Sequence, residues 1–438
     1  MQWKKWFWVL GYFVAVLGLG RYAQQDNFIT TFSSYTFAFA FYLGIYFKRK
    51  MFSPRELKIT VFISAIIVLP FLPGLSPDYF RFLWDGRLIL DGINPYAHTP
   101  EALMEMSRFA NDAYYQELYA GITQLSKENY SCYPSINQFY FAAANLFSKD
   151  VWFNMVMMRI LIILSLLFAH HFTVKMLLQF DRSPKLASLF FLNPFVLLEL
   201  IINLHFEGVM IAFFAPGLFY LLRDRMFLSA LFFALAINVK LTPLLLLPFI
   251  YKQLSIRHTV LFYFYTLVGV HLFTHLLLWP PYYENFAESL SLYFSNFEFN
   301  SSLYSTASSL FYPLFTWETV YIVGPALSML TLGLIIVMAL KRPVNTSVEI
   351  LYYMMAGYFI YLLLSSTVHP WYLSIPLFLG MFSKFNFVVI WSFVVILSYG
   401  FYAFESPWIA TTLKWTEYGI VFIYLLWEIL KIRRVSIQ

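Results

Sequence analysis

Apolar residues in this chain run on in long stretches broken by short polar clusters, where an amphipathic helix or strand would repeat them at a fixed spacing. Stretches near 6–21, 28–47, 57–75, 153–174, 186–202, 206–222, 257–279, 318–340, 346–367, 386–403 and 412–430 approach or exceed the length of a spanning helix, about 20 residues. Read as spans, they number eleven. Two shorter apolar pieces are interrupted: 226–251 at Asn238-Val239-Lys240-Leu241-Thr242-Pro243, and 370–382 by Pro370 and Pro376. Proline removes a helical donor and clashes with the preceding turn, so both pieces read as broken or half-depth helices. The pattern predicts an all-α polytopic membrane protein, a bundle of about 11–14 transmembrane helices in a single domain.

Two polar excursions interrupt this pattern. The first, 76–152, opens with Ser76-Pro77, which reads as an N-cap and a first-turn proline. A short helix is predicted from there through Asp78, Arg81 and Asp85 to a stop at Gly92 and Asn94-Pro95. The apolar piece Pro134 to Phe147 is too short to span and is predicted to lie along the membrane interface. The second excursion, 280–317, holds Glu284, Glu288 and Glu298 but no Lys or Arg.

Composition agrees with the pattern, since 60% of the 438 residues are hydrophobic and only 12% charged. Charge then sets the orientation. With the N-terminus in the cytoplasm and both excursions outside, the inner segments near 4–5, 48–58, 175–185, 223–225, 252–257, 341–342, 384 and 431–434 hold 20 of the 29 Lys and Arg, as the positive-inside bias requires. The net charge of +6 is therefore a membrane signal, and no nucleic-acid partner is predicted. The first apolar stretch follows Lys4 and Lys5 without a small-residue cleavage site and reads as a retained helix. A single cysteine, Cys132, excludes an intramolecular disulfide.

Asp78, Arg81 and Asp85 fall at i, i+3 and i+7, one face of a helix just outside the membrane. Such a face offers a carboxylate to take a proton and a cation to hold an anion. The same spacing is also met by an acidic first turn followed by an ordinary i, i+4 ion pair. His205 and Glu207 sit at the outer mouth between two spans, and Lys240 at the break of 226–251. Arg159 lies about two turns into a span, where it either meets a buried phosphate or snorkels. Glu199, inside a span, reads as a helix–helix hydrogen-bond partner, and His369 as a member of an interfacial aromatic belt. Aromatic residues reach 21%, mostly lipid-facing bulk and interfacial belt.

The string Asp78-Tyr79-Phe80-Arg81-Phe82-Leu83-Trp84-Asp85-Gly86-Arg87, followed by Gly92-Ile93-Asn94-Pro95-Tyr96, resembles the first-loop signature of bacterial polyprenol-phosphate-mannose-dependent mannosyltransferases of the GT-C superfamily. Tyr133-Pro134, Asn203-Leu204-His205-Phe206-Glu207-Gly208, Lys240-Leu241-Thr242-Pro243 and His369-Pro370-Trp371-Tyr372 follow in the order that family has them. The resemblance covers roughly 57–404, with 1–56 as an additional N-terminal hairpin and Glu207 where His-Asn-Asp is common.

It implies a GT-C-like fold and a hexosyltransferase that moves a sugar, mannose first, from a polyprenyl-phosphate donor to a glycolipid or glycan acceptor outside the bacterial cytoplasmic membrane. Asp78 is the implied general base with Asp85 second, and Arg81, Lys240, His369, Arg159 and Arg87 are the implied phosphate ligands. His205, Glu207, Asn94, Tyr96, Trp84, Trp371 and Tyr372 are the implied sugar or acceptor contacts. Direct displacement inverts the anomeric centre and needs no second nucleophilic carboxylate. No cofactor is expected; Asp78, Asp85, His205 and Glu207 could ligate a divalent metal, but a general base suffices. A lipid-linked sugar flippase, or a glycan polymerase or ligase, is the alternative reading.

Overall fold

In the computed structural model, residues 2–295, 298–315, 319–341 and 346–437 are described; the predicted inner turn at 342–345 lies outside them. The fold is all-helical, with no strand among the described residues. Its helices include α1 (Gln2–Tyr22), α2 (Phe28–Phe47), α3 (Pro54–Ile67), α4 (Asp78–Leu90), α5 (Ser135–Ala144), α6 (Val151–Gln179), α7 (Glu207–Leu221), α8 (Met226–Ile237), α9 (Ile256–Thr274), α10 (Tyr282–Ser295), α11 (Thr319–Lys341), α12 (Ser347–Leu364) and α13 (Pro407–Ile437).

Fewer of these helices cross the membrane unaided than the apolar runs suggest. Among the described residues α2, α6, α9, Tyr321–Lys341 within α11, and α12 are each long and apolar enough, while Pro184–Phe191 and Val196–Ile202 form a pair bent by 66°. Helices α7, α8 and Phe387–Ala403 are shorter. The run 57–75, expected as one helix, stops at Ile67. Helix α8 ends at Ile237, and the chain resumes as a tight 3₁₀ stretch, Thr242–Phe249, past the Asn238–Pro243 interruption. Irregular backbone at membrane depth is tolerated where protein covers it, and here it is covered: Val196–Ile202 is buried throughout.

Arg159 holds two of these breaks together. Fully buried in α6, it donates through Nε to Ile201 O at 2.8 Å and through Nη2 to Ile202 O at 2.7 Å, while Nη1 reaches Val68 O at 3.1 Å and Leu69 O at 2.5 Å. Carbonyls left over where a helix stops need donors, and one guanidinium serves the ends of two interrupted helices. Arg159 therefore does not snorkel: its donors turn inward and clamp the two breaks.

The N-terminal hairpin is built into the bundle. Tyr42 Oη donates to Leu189 O at 2.7 Å and Tyr35 Oη to Ser392 O at 2.5 Å, so buried phenols from α2 satisfy carbonyls on two other segments.

The first excursion is a folded cap. Helix α4 ends as expected: Gly92 takes φ +77°, and Ile93 N–H reaches back to Leu88 O at 2.8 Å. Its start differs by one residue, because Pro77 occupies the cap position and Ser76 Oγ accepts from Asp78 N–H at 3.3 Å. Helix α5, the expected interfacial piece, crosses α4 at Gly86, where an added Cβ would stand 2.2 Å from the Phe141 carbonyl. Only glycine permits that approach.

Candidate active site

The one-face triad Asp78, Arg81 and Asp85 is split by the fold. Arg81 Nε bonds Asp85 Oδ1 at 2.8 Å, and both side chains are buried. Arg81 Nη1 also donates to Ser126 O at 2.6 Å and Asn129 O at 3.0 Å, while Asp85 Oδ2 accepts from Ser131 Oγ at 2.5 Å and Gln138 Nε2 at 3.1 Å. This network fastens segment 126–131 and α5 to α4. It is the ordinary i, i+4 pair of the sequence reading, with Ser131 and Gln138 as partners that spacing did not announce.

Asp78 stands apart from that network. Half-buried at the start of α4, it lies within electrostatic reach of Lys240 and Glu207. Burial pushes its carboxyl above the usual aspartate range, and the Ser76 hydroxyl and the Lys240 charge oppose that shift only in part. A carboxyl so raised is a better proton acceptor than an exposed one.

Lys240 is held in place from three elements. Asn137 Nδ2, near the start of α5, donates to Val239 O at 2.7 Å, and Ile136 N–H to Asn238 O at 3.3 Å. Asn238 in turn accepts from Thr274 Oγ1 at 2.9 Å, at the end of α9. The ammonium ion-pairs with Glu207, the first residue of α7, and sits 4.4 Å from the Tyr372 ring centroid. An ammonium has three donors, so this pair leaves capacity for a phosphate oxygen.

Glu207 and His205 reach the site through a reversal of the chain. After Val196–Ile202, Leu204 adopts φ +63°, a left-handed conformation uncommon outside glycine, and His205 N–H bonds Glu199 O at 3.2 Å. Such backbone outliers gather at functional sites. The His205 ring stacks on Trp371 at 3.5 Å with Nε2 3.7 Å from Glu199, and Glu199 accepts from Tyr399 Oη at 3.0 Å. His369 stacks on the same indole at 4.4 Å and meets Tyr372 edge-on at 5.5 Å. The segments that carry Asp78, His205, Glu207, Lys240, His369, Trp371 and Tyr372 thus converge.

The remaining expected contacts serve the cap. Arg87 pairs with Asp91 at 2.6 Å, and Tyr115 Oη donates to the other Asp91 oxygen at 2.9 Å, which braces the cap. Trp84 is fully buried against Tyr115 at 5.0 Å. Tyr96, also buried, donates to Tyr133 O at 2.6 Å, and Asn94 Nδ2 donates to Leu277 O at 2.7 Å. Neither Trp84 nor Tyr96 presents a ring face for a sugar. Among the described residues no three His, Cys, Asp or Glu side chains gather as a metal-binding set.

The family profile described as alpha-(1->6)-mannopyranosyltransferase, N-terminal domain, matches residues 13–255, which carry Asp78, Glu207 and Lys240. The chain belongs to this family. The match starts inside α1, so it takes in nearly all of the N-terminal hairpin. Alpha-(1->6)-mannopyranosyltransferase A of Corynebacterium glutamicum is 22% identical over 201 residues, 44% of this chain. The chain covers 38% of that relative's length. The family match and the apolar helices together describe a multi-pass, all-helical membrane chain of this mannopyranosyltransferase family.

Proposed function

We propose that the protein transfers a mannosyl group from a polyprenyl-phosphate donor to a glycan or glycolipid acceptor on the extracytoplasmic side of the bacterial cytoplasmic membrane, with Asp78 as general base. The observation that carries the reading is that Asp78 lies within electrostatic reach of the Lys240–Glu207 ion pair, which is carried by elements remote in sequence.

Asp78 takes the proton of an acceptor hydroxyl as that oxygen attacks the anomeric carbon. The bond from the anomeric carbon to the phosphate oxygen breaks, the phosphate leaves with the electron pair, and the configuration inverts in one displacement. Lys240 stabilises the departing phosphate as a charged donor, with His369 beside it against Trp371 and Tyr372. Arg81 and Asp85 act one step back by fixing α4, and Arg159 and Arg87 take no part in donor binding. The positive-inside distribution supports placing the site outside.

The test is transfer of radiolabelled sugar from synthetic polyprenyl-phosphate mannose to a membrane-extract acceptor by purified protein. Asp78→Asn is expected to lower kcat by about 10²–10⁴, the usual range for a general base, with binding of donor little changed. Loss in Asp85→Asn alone, at unchanged stability, would move the base to that residue; no transfer by wild type with mannose, glucose and aminosugar donors would end the transferase reading.

A further inference from the structure

Five aromatic rings stack in a column that starts at His205 and ends at Tyr402. His205 stacks on Trp371 at 3.5 Å, Trp371 on His369 at 4.4 Å, His369 on Phe299 at 5.0 Å, and Phe299 on Tyr402 at 5.4 Å, each pair within 28° of parallel. The column has one buried end and one open end: His205 is 3% exposed and Phe299 2%, whereas Tyr402 is 42% exposed. The inner rings stack on one another, so Tyr402 is the ring the column offers outward. Its phenol lies within electrostatic reach of Asp78.

The ring behind Tyr402 is held firmly. Phe299 exchanges two backbone bonds with the segment preceding His369, its N–H to Ser366 O at 3.1 Å and Val368 N–H to its own carbonyl at 2.8 Å. The next residue, Asn300, in a left-handed conformation at φ +48°, donates to the buried Glu417 carboxylate at 3.2 Å and accepts from Tyr418 Oη at 2.7 Å. These bonds tie the backbone behind Phe299 to the helix that carries Glu417 and Tyr418. An exposed aromatic in a lipid belt has no need of so rigid a backing.

We propose that Tyr402 is a stacking platform for the pyranose ring of the acceptor, at the outward end of this column. The hydrogen-bearing face of a pyranose is apolar and suits an aromatic ring face, while its rim hydroxyls stay free to reach the base. Tyr402 is then a specificity-determining contact that holds the acceptor. The inference rests on the transferase reading above.

The experiment uses the full chain in detergent, synthetic polyprenyl-phosphate mannose as donor and octyl α-mannoside as acceptor probe, for wild type, Tyr402→Ala, Tyr402→Phe and Tyr402→Trp. Loss of one aromatic contact corresponds to about a 3- to 10-fold rise in KM for octyl α-mannoside in Tyr402→Ala, at unchanged donor KM. Tyr402→Phe and Tyr402→Trp are expected to keep the wild-type value, since a ring face is what counts. An acceptor KM within twofold of wild type in Tyr402→Ala overturns the inference, as does a change confined to the donor KM; the loss of transfer in Asp78→Asn leaves the transferase reading standing in either case. If wild type transfers nothing, that reading fails separately. Saturation-transfer NMR with methyl α-mannoside then decides the platform: a signal present in wild type and lost in Tyr402→Ala upholds it, and any other pattern overturns it.

Discussion

Gly86 carries the prediction that ties packing most directly to chemistry. A Cβ at this position would lie 2.2 Å from both the carbonyl carbon and oxygen of Phe141 and 2.7 Å from Ala142 N, all backbone atoms that no rotamer change can remove. Ordinary contact begins at 3.4 Å, so Gly86→Ala forces α4 and α5 apart by about 3.4 − 2.2 = 1.2 Å. Overpacking of this kind costs about 1–3 kcal/mol, and alanine returns about 1 kcal/mol through its better helix propensity. Net stability should therefore fall by no more than about 2 kcal/mol, and the variant should fold. Asp78 starts the same helix that must move, while Lys240 is held by the N-terminus of α5, so the gap between them changes. A misplacement near 1 Å can cost about 10²-fold in rate. The assay is kcat for mannosyl transfer alongside thermal unfolding in detergent, with Gly86→Ser as a second size step. Wild-type kcat in a Gly86→Ala protein would refute the link between this crossing and the site; a collapse of folding without any measurable soluble fraction would refute the magnitude.

Three further outcomes are expected. Arg159→Lys and Arg159→Met should both lower the unfolding temperature, by the equivalent of roughly 3–5 kcal/mol for the methionine, because four carbonyls lose their donor; a raised donor KM at unchanged stability would instead favour a phosphate role. Asp85→Asn leaves Arg81 as an unpaired buried charge and should cost about 3–5 kcal/mol, read by thermal unfolding, while the double change Arg81→Met with Asp85→Leu should recover much of it. The acid limb of kcat/KM reports Asp78: burial raises its pKa, so activity is lost as pH falls through a value above the usual aspartate range. Glu207 contributes to that rise, so Glu207→Gln should move the limb to lower pH, and a shift to higher pH would contradict the proximity of the two carboxyls.

The membrane class and the cap helix were legible because their signals are local. Length of apolar run, the Pro77 start and the Gly92 stop each act within a few residues. The division of labour among Asp78, Arg81 and Asp85 was not, since helical spacing places them on one face but says nothing about Ser131 and Gln138, which approach Asp85 from far along the chain. Glu207 and Lys240 were each singled out, yet their pairing depends on the reversal at Leu204 and on the α5 contacts to Asn238 and Val239. The bend of 66° after Phe191 was hidden inside an apolar run, with only Asn193-Pro194 to hint at it. Tyr402 had no signal at all: one tyrosine among 32, distinguished only by where the column of rings ends.

The Arg159 clamp also constrains how the protein is made. The chain emerges from the ribosome in order, so the helix carrying Arg159 is synthesised before Ile201 and Ile202 exist to receive its donors. At that stage only Val68 and Leu69 can shield a cation that costs about 2.5–3.5 kcal/mol at membrane depth. Insertion of α6 should therefore depend on α3 being already in place, and its final seating on the arrival of the chain some forty residues later. A biogenesis intermediate truncated after α6 is thus the species in which this helix should sit shallowest and be most open to extraction by alkali.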